Sequence, residues 1–198
     1  MGAKMNGRKL QADETKKRIF QSAIELMAKN GYHGTRIEEI CQAANVSIGA
    51  FYHHFRAKDD IFSVTYDEAD AYFETDVAEL LRAEKPEDRI VAFFRIYAEF
   101  NRSISLDRTK VLYNGDNRWF IKKGRGMQKV LAAQIAESQS LGLIASDEDA
   151  ESITTDLFVL ARGIVYDWCL HDGTYDLPHV MQRLIAKMLC GYAAISAQ

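Results

Sequence analysis

The chain has 198 residues, 47% of them hydrophobic, enough for one or two domains with buried cores. No apolar run reaches the length of a membrane-spanning helix, and the polar start MGAKMNGRKLQADETKKR lacks a signal peptide's apolar stretch, so no membrane partner and a cytoplasmic location are expected. The formal charge of −3 is uneven: residues 1–58 hold ten basic side chains against five acidic ones, and the remainder is acidic, a distribution that suits a protein offering one end to a polyanion.

Two prolines, Pro86 and Pro178, and the near absence of period-two alternation predict an all-α chain. Residues 1–12 are expected to be a flexible arm; its Arg8 and Lys9 either reach a minor groove or belong to a disordered tail. From residue 13, Ile19, Ala23, Leu26 and Met27 form one helical stripe, which Asn30-Gly31 stops. Thr35 is expected to cap a second helix, with Glu38 completing a capping box and Ile37, Ile40 and Cys41 facing inward. Ala44-Asn45-Val46 reads as a tight turn in which Asn tolerates a left-handed backbone. Ser47 caps a third helix with Phe51 and Phe55 on one face. A long fourth helix is expected from Lys58-Asp59, carrying Phe62, Tyr66, Ala69, Phe73, Val77 and Leu80, so that a domain of residues 13–60 gives way to one of residues 61–198.

Farther along, Pro86 opens a helix with Ile90, Phe93, Phe94, Tyr97 and Phe100. The stretch Asn114 to Gly126 breaks the pattern. Helices are then expected near Met127–Leu141, from about Ser146 to Leu170, and from about Asp176 to Ala194. The last two are apolar on more than one side, and a helix of that kind needs a second surface to bury against.

Three short helices, two of them joined by a four-residue turn, are a candidate helix-turn-helix. Between the core phenylalanines of the third lie Tyr52, His53 and His54, large polar-tipped groups suited to phosphate. Before them Ile48, Gly49 and Ala50 let the helix start approach a groove closely. This region, from Thr15-Lys16-Lys17-Arg18-Ile19-Phe20 through Phe62, resembles the DNA-binding domain of the tetracycline-repressor (TetR) family. The resemblance rests on Ala23, Asn30-Gly31-Tyr32, Thr35, Ile40, Ala44, Val46-Ser47, Gly49, Phe51-Tyr52, His54-Phe55, Lys58 and Ile61-Phe62. It covers roughly a quarter of the chain, with Asn45 where the family usually has Gly; the rest agrees only in the number, length and order of helices.

The resemblance implies a ligand-responsive transcription regulator, a repressor by family analogy, that binds palindromic operator DNA as a homodimer. Thr35 and Arg36 would hold phosphate at the second helix, Ser47 would start the third, and Tyr52, His53, His54 and Lys58 would reach further phosphates. Ile48, Gly49, Ala50 and Tyr52 would face base edges, although Ile48 could pack inside instead. No Arg, Lys, Gln or Asn stands at 48–50, so readout would rest on thymine methyls and DNA shape. His53 and His54 point about 100° apart on a helix and cannot comfortably share one metal ion.

Aromatic residues are dense in the second domain, serving as core or as the lining of a pocket for a small hydrophobic or aromatic effector. The residues expected at such a pocket are Tyr66, Phe94, Tyr97, Trp119 and Phe158. Asp156 and Arg162, on one otherwise apolar helix, either orient a polar ligand group or make a plain interhelical salt bridge. The last two helices resemble the family's dimer interface, which implies burial of Trp168, Val180, Leu184, Ile185, Met188 and Leu189. Enzyme chemistry has no anchor: GxSxG, P-loop, HExxH and GxGxxG are all absent, and Gly124-Arg125-Gly126 is too short to count. The three cysteines, Cys41, Cys169 and Cys190, are odd in number, lack CxxC spacing, and fit reduced thiols. No cofactor, metal or catalytic residue is expected.

Overall fold

The structure, a computed structural model, describes residues 2–193, with side chains from Leu10 onward. The described residues form ten α-helices and no strand; two extended residues, Ile144 and Ala193, make an isolated bridge. The helices divide into two compact units. One comprises residues up to Thr65 together with Lys110–Phe120; the other comprises Tyr66–Thr109 and residues from Ile121 onward. The division thus falls five residues after the expected boundary, and a later segment joins the first unit.

In the first unit α1 (Gly2–Gly34) begins upstream of residue 13 and includes the backbone of the expected arm. The side chains of Arg8 and Lys9 lie outside the described residues. Ile19, Phe20, Ala23, Ile24 and Met27 bury one side of this helix. The expected stop is real: Gly31 takes φ 75° and ψ 165°, a conformation costly for residues with a Cβ, and the helix kinks there. Helix α2 (Ile37–Ala43) buries Ile40 and Cys41, and α3 (Ile48–His54) buries Phe51. Between them Asn45 adopts φ 52°, the left-handed turn expected of it. Ser47 Oγ accepts from Ala50 N at 3.1 Å and caps α3. The capping box of α2 sits one residue later than expected: Arg36 N donates to the Glu39 carboxylate at 2.9 Å.

The expected single helix from Lys58 is four pieces: a 3₁₀ turn Lys58–Phe62, α4 (Ser63–Tyr72), a π-helical turn Phe73–Val77 and α5 (Ala78–Ala83). Thr75 Oγ1 donates to the Ala71 carbonyl at 2.8 Å, the acceptor its own amide would use in an α-helix. The boundary between the units falls inside α4.

In the second unit α6 (Arg89–Ser103) packs against α10 (Leu177–Leu189), and α9 (Ala150–Leu170) packs against both α8 (Gly126–Ser140) and α10. The short α7 (Leu106–Leu112) spans the place where the chain leaves this unit for Lys110–Phe120. Asp149 caps α9 by accepting from Glu151 N and Ser152 N, so that helix starts four residues after the expected Ser146. Asp176 caps α10, where Pro178 occupies the first turn. Helix α10 ends at Leu189, followed by a 3₁₀ turn Cys190–Tyr192; Ala194, the expected end, is outside the described residues.

Candidate nucleic-acid interface

Helix α3 exposes one face and buries the other. Phe51 and Phe55 point inward, their ring centroids 5.6 Å apart. Ile48 and Tyr52, one turn apart, are 47% and 53% exposed, and Ser47, Gly49 and His53 are exposed beside them, with Ala50 half-buried. Ile48 therefore stands outside the core, as a groove-facing residue must. A Cβ added at Gly49 would meet only Ser47 Oγ, at 3.8 Å, so no neighbour in the protomer requires a glycine there.

His53 and His54 stack edge to face, with centroids 5.0 Å apart. Partial burial holds the His54 imidazole below the usual histidine pKa, and nearby His53 and Lys16 push the same way, against Asp13. Lys16 also lies over the Phe55 ring at 5.8 Å, which brings a cation of α1 to the same end of the domain.

Three expected phosphate ligands prove unlike one another. Arg36 is exposed at the start of α2. Thr35 is 1% exposed, and its hydroxyl donates to the Gly31 carbonyl at 2.9 Å. It closes the kinked end of α1 and presents no surface to an anion. Lys58 is half-buried and acts as a clamp: its ammonium donates to the carbonyls of Tyr32 at 2.6 Å and Thr35 at 2.9 Å and sits 4.2 Å over the Tyr32 ring. Two of its three donors hold the end of α1 to the start of α2, leaving one for other partners.

Segment Lys110–Phe120 belongs to this unit. It is shaped by its own side chains: Asn117 Nδ2 donates to Leu112 O, Asp116 N to Asn114 Oδ1 and Trp119 N to Asn117 Oδ1. Asp116 pairs with His33 Nε2 at 2.9 Å.

Of the five residues expected at an effector pocket, three come together in the second unit. Phe94, Tyr97 and Phe158 are buried with ring centroids 5.6–6.2 Å apart. Phe93, edge-on to Phe94 and Phe158, and Phe73, edge-on to Tyr97, complete this nest 4.9 Å apart, although neither is expected at a pocket from the sequence. Tyr66 is buried at another place, under the guanidinium of Arg125. Trp119 belongs to the other unit, carried there by the segment just described.

The expected dimer residues also divide. Ile185 is fully buried in its own protomer, and so is most of Trp168, whose Nε1 donates to Tyr175 O at 3.1 Å; neither keeps much surface for a second copy. Val180, Leu184, Met188 and Leu189 are half-buried on α10. The exposed apolar stripe is instead on α9: Val159, Tyr166 and Leu170 are 56%, 51% and 64% exposed, with Gly163 between them. Spacings of four, three and four residues put them on one face.

Residues 19–64 match the bacterial regulatory proteins of the tetR family. Across most of the chain there are more distant likenesses. A fatty acid metabolism regulator protein of Bacillus subtilis is 24% identical over 87% of this chain and 93% of its own length. The transcriptional repressor BepR of Brucella suis is 25% identical over 93% and 95%. The solved structure of a FadR repressor from Thermus thermophilus, in complex with lauroyl-CoA, superposes with a TM-score of 0.70 over 92% of this chain and 97% of that one, at 19% identity. Residues 19–64 thus carry a helix-turn-helix that matches the tetR family of bacterial regulatory proteins, joined to C-terminal helices that share the fold of the Thermus structure.

Proposed function

We propose that this protein acts as a repressor, binding a palindromic operator as a homodimer and leaving it when a small hydrophobic effector occupies the second unit. The observation that carries the DNA reading is the outer face of α3, where Ile48 and Tyr52 stand about half exposed with Ser47, Gly49 and His53 beside them. A groove accepts an isoleucine and a tyrosine exposed one turn apart: the methyl groups against thymine, the phenol on phosphate. Arg36, Lys16 and His53 supply cations and polar donors around this face.

The α9 stripe of Val159, Tyr166 and Leu170 supports a second copy as its cover, joined by Val180, Leu184 and Met188. A two-fold dimer sets two reading heads against half-sites one or more helical turns apart, about 34–36 Å per turn. The aromatic nest of Phe94, Tyr97 and Phe158, together with the lauroyl-CoA held by the Thermus neighbour, supports a hydrophobic effector.

The test is fluorescence anisotropy with DNA from upstream of the protein's own gene, titrated at several salt concentrations. Affinity should fall steeply with salt, and Tyr52→Ala and Ile48→Ala should each weaken the operator complex by about 1–3 kcal/mol. Absence of binding to any upstream fragment at low salt would overturn the reading.

A further inference from the structure

Arg125 is the one charged side chain classed with the core among the described residues, and it sits at the start of α8. Its guanidinium faces the Tyr66 ring at 4.2 Å and grips Asp70 with two donors, Nε to Oδ2 at 3.0 Å and an Nη to Oδ1 at 3.1 Å. Asp70 Oδ1 also accepts from Met127 N at 3.1 Å, so the same carboxylate caps the first turn of α8. Asp70 is the more accessible partner of the two. One turn along the same stretch of chain lies Phe73, fully buried and 4.9 Å from Phe93 in the aromatic nest. Phe73 thus lies about one helical turn along the chain from the carboxylate that holds Arg125, and the start of α8, at Gly126, packs against its neighbour Glu74.

We propose that Arg125 is the headgroup site for an amphipathic, anionic effector, whose carboxylate or phosphate takes the place of Asp70 on the guanidinium while its apolar part enters among Phe73, Phe93, Phe94 and Phe158. The inference rests on the effector-responsive reading above and gives that effector its chemical class. The argument for an anion is one of charge. A ligand that parts Arg125 from Asp70 without bringing a negative group strands a buried guanidinium, a heavily penalised state. A ligand that brings a carboxylate exchanges one bidentate pair for another and releases Asp70 toward water. The fork geometry of arginine suits planar carboxylates and phosphates alike. Exchange also removes the cap that Asp70 places on α8, so the state of the pair is felt at the start of that helix.

The probes are sodium dodecanoate and dodecan-1-ol, equal in chain length and different in headgroup, titrated calorimetrically into the full-length protein. Dodecanoate should bind at least tenfold more tightly than the alcohol. Asp70→Asn removes the internal competitor while keeping an acceptor for Met127 N, and should tighten dodecanoate binding by several fold, a gain that a purely structural ion pair would not produce. The double variant Asp70→Leu/Arg125→Met replaces the pair with apolar groups that leave no stranded charge, and should bind both probes with equal affinity. Undetectable dodecanoate binding to the wild-type protein, equal affinities for its two probes, or undiminished dodecanoate preference in the double variant would each overturn the proposal. Anisotropy with operator DNA, measured separately without probe, reports on the DNA-binding reading, so the two can fail independently.

Discussion

Replacing Lys58 with Met should unfold the reading head more easily before it alters how the head meets DNA. The ammonium makes two hydrogen bonds to carbonyls, at 2.6 and 2.9 Å, and lies over the Tyr32 ring. A hydrogen bond to a charged group contributes roughly 1.5–3 kcal/mol where buried. Lys58 is only half-buried, so the lower end applies to each bond. The ring contact adds roughly 0.5–1 kcal/mol. Methionine keeps most of the aliphatic packing but leaves the Tyr32 and Thr35 carbonyls without this donor. The expected loss is about 3.5–4 kcal/mol, which for a chain of this size corresponds to a fall in Tm of about 7–16 °C. Urea denaturation followed by circular dichroism measures the loss, and a salt titration of DNA affinity below the melting range measures the other role. If the stability of Lys58→Met equals wild type while the salt slope drops by about one, Lys58 is a phosphate ligand and the clamp is unimportant.

Thr35→Val removes a buried hydroxyl that donates to Gly31 O, and should cost about 1 kcal/mol in stability while changing DNA affinity less than twofold; a large loss of affinity in a stable variant would return Thr35 to the phosphate contacts. Val159→Glu puts a charge into the exposed α9 stripe and should shift sedimentation from dimer to monomer; a variant that sediments as a dimer at micromolar concentration would move the interface elsewhere. Because the His54 pKa is lowered by burial, His53 and Lys16, the folded head binds fewer protons than the unfolded chain below the usual histidine pKa, so this group's contribution is present above that value and is lost as pH falls through the folded value. Phosphate beside the imidazole favours its charged form, so DNA binding should take up protons and tighten as pH falls through the histidine range. His54→Gln should flatten that dependence, and an unchanged pH profile in this variant would place His54 away from DNA.

What the sequence disclosed was local. Gly31, Asn45 and Ser47 act where short-range rules put them, because a kink, a left-handed turn and a cap are decided by a few neighbouring residues. The alternation of Phe51 and Phe55 with Tyr52 and His53 separated core from surface on α3 for the same reason. The failures are tertiary. Thr35 has the composition of a cap, but Gly31 O claims its hydroxyl and the capping box moves to Arg36 and Glu39. Lys58 reads as a free surface cation until its 26-residue reach back to Tyr32 is known. Trp119 reads as a companion of Phe94 in sequence, but Lys110–Phe120 carries it into the other unit. On α9 a twofold-apolar pattern cannot say which stripe faces its own core: Trp168 does, and Tyr166 does not. Arg125, between two glycines, carries no local signal because its partner, Asp70, is 55 residues away.

The composition of α3 bears on why the α9 stripe would matter for reading DNA at all. With Ile48, Gly49 and Ala50 at its start, one head has few groups that can make the bidentate hydrogen bonds that discriminate between bases. Its affinity for DNA would come largely from phosphate contacts, which any sequence provides. A single head should therefore bind strongly enough to be measured and choose poorly. Two heads held at a fixed separation add a geometric requirement, because both can engage only where shape-compatible half-sites recur at the matching spacing. On the proposed dimer, selectivity would reside as much in Val159, Tyr166 and Leu170 as in Ile48 and Tyr52. On this reasoning Val159→Glu should do more than halve the mass: competition between operator and random-sequence duplex should show operator preference collapsing while affinity for random DNA stays within a few fold. Retention of full operator preference by a monomeric variant would show that one head reads sequence unaided, and base contacts at α3 would have to be sought beyond residues 48–50.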